Sequence, residues 1–144
     1  MTIEERLDAL YAELPQLECR GLCADSCGAI SMGLHEARRI ERLTAQPLRL
    51  MATLEQSCPY LEAERCTVYQ ARPLVCRVWG LVDEHGLRCE HGCVPERWLT
   101  RPEALRFVRR SLAISGGKEV TTVAGGLDEA ARQYDASGYG NPPR

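Results

Sequence analysis

The chain holds 144 residues, 44% hydrophobic and 26% charged, which fits a single folded domain and excludes a disordered polymer. Net charge is −2 and the pI about 5.9, which excludes a nucleic-acid binder acting through bulk positive charge. No apolar run approaches the roughly 20 residues a spanning helix needs. The acidic start MTIEERLDALYAELP also lacks the basic and unbroken apolar regions of a secretory leader, so a cytoplasmic protein is expected.

Taken in chain order, Thr2 with Glu5 predicts a capping box, followed by Ile3, Leu7, Leu10, Tyr11 and Leu14 at helical spacing until Pro15. ECRGLCADSCG is a glycine-punctuated stretch carrying three cysteines. As a helix it would put Cys19, Cys23 and Cys27 on one face; an irregular loop fits equally well. GLHEARRIERLTAQ predicts a second helix with Leu34, Ala37, Ile40 and Leu43 on one stripe. RLMATLEQ extends it beyond Pro47 or forms a separate piece. CPYL and CTVY then read as a hairpin about a polar turn at Glu62–Arg65, with a further turn at Ala71-Arg72-Pro73. LVCRVWGLV is a buried strand or short helix, His85-Gly86 a turn, and LRCEHGC the last cysteine loop. RPEALRFVRRSLAI predicts a strongly amphipathic helix and LDEAARQY a weaker one. ASGYGNPPR reads as a disordered tail.

Charge is unevenly spread. Residues 1–18 are acidic apart from Arg6, whereas residues 101–118 carry Arg101, Arg106, Arg109, Arg110 and Lys118 against Glu103. Two solvated helix faces that attract one another explain this; a basic surface on the 101–118 helix for a protein partner is the alternative.

The eight cysteines are Cys19, Cys23, Cys27, Cys58, Cys66, Cys76, Cys89 and Cys93. Disulfides are rare in the cytosol, and eight separate apolar thiols clustered in one part of the chain is an improbable composition. Metal ligation is the leading reading. The Cys19–Cys23, Cys23–Cys27 and Cys89–Cys93 loops have the length that lets one turn present two thiolates to one ion. The tighter CxxC knuckle of zinc ribbons is missing, and His91 reads as a loop residue. An all-sulfur donor set suits Zn²⁺ or an iron–sulfur cluster. Eight thiols divide into two tetrathiolate zinc sites, or into one four-thiolate cluster with cysteines to spare, and spacing does not choose between them. His35, His85 and His91 are scattered, and no glycine-rich nucleotide loop or paired-carboxylate motif points to an enzyme.

The run CPYLEAERCTVYQARPLVCR resembles the YkgJ-type family of zinc- or iron-chelating domains. Cys58, Pro59, Leu61, Cys66, Val68, Tyr69, Arg72, Pro73, Cys76 and Arg77 match its second motif position for position. Cys19, Cys23 and Cys27 stand where the N-terminal CxxCxxCC cluster belongs, followed by a family-like helix with Glu36, but the adjacent cysteine pair is absent. The resemblance spans roughly residues 19–80. It implies metal binding, with Cys58, Cys66 and Cys76 as the firmest ligands joined by one or more of Cys19, Cys23 and Cys27. Cys89 and Cys93 would complete a second site. It also raises Arg72 and Arg77 to groups that donate to sulfur, and sets Tyr69 over the metal loop. A similar pattern in flagellin lysine-N-methylases, where an iron–sulfur cluster is implied, favours a [4Fe–4S] cluster with a structural, electron-transfer or accessory role; zinc is the alternative. The expected fold is a small α-rich (α+β), metal-stabilised domain. Its parts are an N-terminal helix (1–18), a cysteine-rich core (19–93), a C-terminal helical extension (94–135) and a tail (136–144).

Overall fold

Thr2 opens the first helix as expected. Its hydroxyl accepts from the Glu5 N–H at 3.1 Å, and the Glu5 carboxylate accepts from the Thr2 N–H at 2.7 Å, so two of the orphan donors of a helix start are satisfied. In the computed structural model, which describes residues 1–22, 27–50 and 57–122, this helix, α1, spans Ile3–Ala12. β1 covers Ser31–Gly33 and runs straight into α2, Leu34–Thr44. The hairpin strands β2, Leu61–Glu62, and β3, Arg65–Cys66, follow. A 3-10 turn at Tyr69–Ala71 leads to the short helix α3, Leu74–Val78. α4 spans Arg101–Ile114 and β4 Glu119–Thr121. The result is a small α+β fold with two separate antiparallel ribbons, β1 with β4 and β2 with β3. Among the described residues no helix is long and apolar enough to cross a membrane.

The hairpin lies where the sequence places it. Its turn has positive φ at both Ala63 (50°) and Glu64 (62°), the backbone that a two-residue link between twisted strands demands. LVCRVWGLV resolves to a helix at Leu74–Val78. Part of RLMATLEQ, all of LDEAARQY and the ASGYGNPPR segment fall outside the described residues.

Two apolar clusters form. Leu10 of α1 and Leu14 just beyond it, Leu74 in α3, Leu81, Val82 and Leu99, and Ala104 and Phe107 of α4 make the first. Met32, Ala37, Ile40, Tyr60, Val68 and Ala71 make the second. Each fully buried aliphatic side chain contributes ~1.5–3 kcal/mol. The expected α2 stripe needs one correction: Leu43 is exposed. The inward line of α2 runs through Glu36, Ala37 and Ile40, so its centre is shifted toward Glu36 and position 43 turns outward.

The pairing of β1 with β4, Ser31 with Thr121 through Gly33 with Glu119, was not legible in the sequence. It lays the C-terminal segment across the start of α2. The Leu34 N–H donates to the Lys118 carbonyl at 2.9 Å and the His35 N–H to Ser115 Oγ at 3.0 Å, completing the first turn of α2 with groups about 80 residues away in sequence. Gly33 is required here. A Cβ at this position would stand 2.6 Å from Ser115 Oγ and 3.3 Å from the Ser111 carbonyl oxygen.

The attraction between the acidic start and the basic C-terminal helix is realised. Arg110 of α4 holds the Glu13 carboxylate with both guanidinium nitrogens, and Arg39 of α2 bridges Glu4 and Asp8 at 2.8 and 2.6 Å.

Gly33→Ala is expected to destabilise the fold by ~1–3 kcal/mol, read as a lower midpoint in urea unfolding. Arg110→Ala should cost only ~0–1 kcal/mol because its pair is solvent-exposed. The hydrogen bond from Arg110, then its charge, hold the Glu13 carboxyl below the usual carboxylate value against weak burial. That small contribution is therefore present at neutral pH and lost as pH falls through the carboxylate range. Wild type and Arg110→Ala unfolding midpoints should converge on acidification.

Candidate metal centre

Four of the eight cysteines, from distant parts of the chain, feel one another's charge. The Cys58 N–H donates to the Cys27 carbonyl at 3.1 Å, tying the N-terminal loop to the start of the hairpin. Cys66 ends the hairpin, its residue paired with Leu61. The side chains of Cys58 and Cys66 pack against the second apolar cluster. Cys76 sits in α3, whose Leu74 belongs to the first.

Electrostatics brings the same four together. Burial pushes the Cys76 thiol up to about 12, and the charges of Cys58, Cys66 and Cys27 add to the shift, while Arg72 opposes it. Burial likewise raises the Cys58 thiol; the Tyr60 N–H works against this, and the Cys66 charge with it. Thiolates crowded into a poorly hydrated place resist ionising together unless a cation joins them. A coordinated metal deprotonates a thiol outright, so an all-sulfur set in this state fits a soft metal centre. Among the described residues, no three Cys, His, Asp or Glu side chains are gathered tightly around one point. The four thiols are neighbours in charge rather than a closed ligand shell.

Cys19, Cys89 and Cys93 have their own surroundings. Cys93 is buried and Cys89 half-buried in the loop between Val82 and Leu99, whose backbones form a parallel bridge. Burial works against ionisation of Cys89. The N–H groups of Cys93 and His91, the Cys93 side chain and the Arg20 charge outweigh it and bring the thiol below its ordinary value. The His91 N–H stands 3.4 Å from Cys89 Sγ; His91 serves through its backbone. Cys19 is exposed and receives the Gly21 N–H at 3.3 Å, with Gly21 at φ 70°. Two hydrogen bonds between Gln16 and Glu96, at 2.9 and 3.0 Å, lay the segment after α1 against the chain leaving Cys93. Cys23 lies outside the described residues. Cys19, Cys58, Cys66, Cys76, Cys89 and Cys93 are free thiols.

Of the surrounding groups, Arg72 stacks over the Tyr69 ring at 3.8 Å and donates to the Tyr69 carbonyl at 3.0 Å. Its charge reaches Cys76. Tyr69 is 45% exposed, covered by the guanidinium on one face. Arg77 donates to the carbonyls of Arg72 at 2.7 Å and Gln70 at 3.1 Å and lies 4.1 Å from the Tyr11 ring centre. It fixes the loop before Cys76 through main-chain oxygens.

Sequence reasoning passed over the function of Glu36. This carboxylate is 1% exposed. Its Oε2 accepts from the Tyr11 hydroxyl and the Leu74 N–H, both at 2.6 Å, and its Oε1 from the Gly33 N–H at 3.2 Å. Burial, then the Glu36 charge and hydrogen bond, push the Tyr11 phenol far up, so Tyr11 remains the donor. The signal was present: an acid inside the apolar stripe of a helix needs partners.

In metal-free, reduced protein, iodoacetamide should modify Cys89 first and Cys76 last, with rates at neutral pH at least ~10-fold apart because the thiolate is the nucleophile. Peptide mass spectrometry over a time course gives the order; equal rates would contradict the environments described.

The family model headed CxxCxxCC, with the description "Putative zinc- or iron-chelating domain", matches residues 18–94, a stretch that contains all eight cysteines. Comparison with curated proteins returns no match, and comparison with solved structures returns none either.

Proposed function

The chain belongs to the CxxCxxCC family of zinc- or iron-chelating domains, and from that premise we propose a cysteine-ligated metal-binding protein centred on Cys27, Cys58, Cys66 and Cys76. One observation carries the choice of these four: burial raises the Cys76 thiol, and the charges of Cys58, Cys66 and Cys27 raise it further. A cation among them removes the repulsion and favours all four thiolates at once.

The group we assign is an iron–sulfur cluster, of [4Fe–4S] type. Its ligands come from a loop, the hairpin and α3 rather than from one CxxC turn, and sulfur is the only donor type. Bound there, the cluster supplies one-electron exchange or a structural clamp. The chain's own groups hold the ligands. Pro73 caps α3, and its carbonyl accepts from the Cys76 and Arg77 N–H groups at 3.1 and 3.2 Å. The positive charge of Arg72 offsets part of the negative charge of the thiolates. A structural, electron-transfer or accessory role follows from this reading.

Zinc is the second reading, and the Cys89–Cys93 pair favours it. The Gln16–Glu96 bonds lay the segment before Cys19 against the chain leaving Cys93, which supports a second set of sulfur ligands, as two zinc sites would require. Zinc would contribute folding energy to a protein-interaction module.

Anaerobic purification decides between them. A brown protein with iron and acid-labile sulfide in equal amounts is expected; a colourless one with stoichiometric zinc overturns the cluster. Cys66→Ser should strip the metal and lower the thermal midpoint. A folded, fully metal-loaded Cys66→Ser protein would remove Cys66 from the ligand set.

A further inference from the structure

We propose that Glu36 is the positioning residue of the thiolate centre, holding the N-terminal end of α3 so that Cys76 stands ready for metal. The inference rests on the metal-binding reading above and adds to it a residue that acts through the backbone.

α3 is five residues long, too short to be stable or oriented by its own hydrogen bonds. Its direction must be imposed from outside. The Leu74 N–H, at the first position of the helix, donates to Glu36 Oε2 at 2.6 Å, and Cys76 lies two residues further on. The same oxygen takes the Tyr11 hydroxyl at 2.6 Å and the other takes the Gly33 N–H at 3.2 Å. The carboxylate therefore cannot swing. Tyr11 in turn lies 4.1 Å beneath Arg77, which grips the carbonyls of Gln70 and Arg72 on the other side of the same turn. Both routes end on the segment that carries Cys76.

The chemistry explains the residue type. Three donors converge on two oxygens, so an amide in this place, with one acceptor oxygen and an NH₂ group that donates, leaves at least one of them unmatched. A buried carboxylate is also costly unless donors replace its water. Its presence is accounted for by the donors it fixes, with the Arg77 charge as partial compensation.

The test uses Co²⁺ as probe, added to the reduced metal-free full chain, with the sulfur-to-cobalt absorption giving both affinity and ligand geometry. Glu36→Gln should weaken Co²⁺ binding by ~10–100-fold, the range found when groups that orient metal ligands are removed, and should alter the band shape. Tyr11→Phe, which removes one of the three donors, should weaken it by a few-fold. Thr100→Ala, which removes the exposed N-cap of α4, should lower thermal stability and leave Co²⁺ affinity unchanged. The proposal is overturned if Glu36→Gln binds as wild type does, or if Thr100→Ala weakens binding as much. Should Glu36→Gln not fold, Tyr11→Phe decides, and wild-type affinity in that variant overturns it. A wild-type chain that takes up no cobalt sinks the metal-binding reading and this one with it; equal binding by wild type and Glu36→Gln sinks this one alone.

Discussion

The carboxylate of Glu36, 1% exposed, is held by Tyr11 of α1, Gly33 of β1 and Leu74 of α3. Burying a carboxylate costs several kcal/mol unless donors replace its water. That requirement is what aligns three elements here. α1 cannot tilt away from α2 without stranding the Tyr11 hydroxyl, and α3 cannot turn without stranding the Leu74 N–H. Apolar packing supplies most of the free energy of such a fold, but it is tolerant of small slides. Hydrogen bonds to a single buried group are not, and they convert two adaptable clusters into one geometry.

The placement of the thiols follows from that geometry. Cys58 and Cys66 are attached to the hairpin and the second cluster, and Cys76 to a helix rooted in the first. Segments separated by as much as the interval from Cys27 to Cys76 must be in register before their sulfurs share a neighbourhood. Organic packing alone leaves them at odds, because each buried thiol raises the cost of ionising the next. The acidic start of the chain has its own partners. Glu4 and Asp8 meet Arg39, and Glu13 meets Arg110, so α1 is drawn to both α2 and α4 by its outer face.

Local chemistry was legible in the sequence, and long-range partnership was not. The Thr2–Glu5 box, the α4 span at Arg101–Ile114 and the hairpin at Cys58–Tyr69 could be read because capping, helical period and turn chemistry are written within a few residues. The family of the chain was legible because the Cys58–Cys76 motif is compact and specific. The Val82–Leu99 bridge that closes the loop bearing Cys89 and Cys93 joins residues far apart in sequence, which no local pattern records. Leu43 was misassigned because the stripe was counted from its leucines, whereas the inward face of α2 is centred on a glutamate. The β1–β4 ribbon was invisible for a similar reason: SMG and EVT are too short to announce strands. They pair because a glycine lets α4 approach.

That ribbon gives the chain an order of completion. Every cysteine lies before residue 94, yet β1, which leads directly into the helix bearing Glu36, finds its partner only at Glu119–Thr121. A nascent chain emerging from its N-terminal end exposes all its sulfur before it holds the strand that closes the start of α2. The loop to be closed between β1 and β4 is long, and contacts of such sequence separation form slowly. The start of α2 is therefore closed by one of the last described segments to be made.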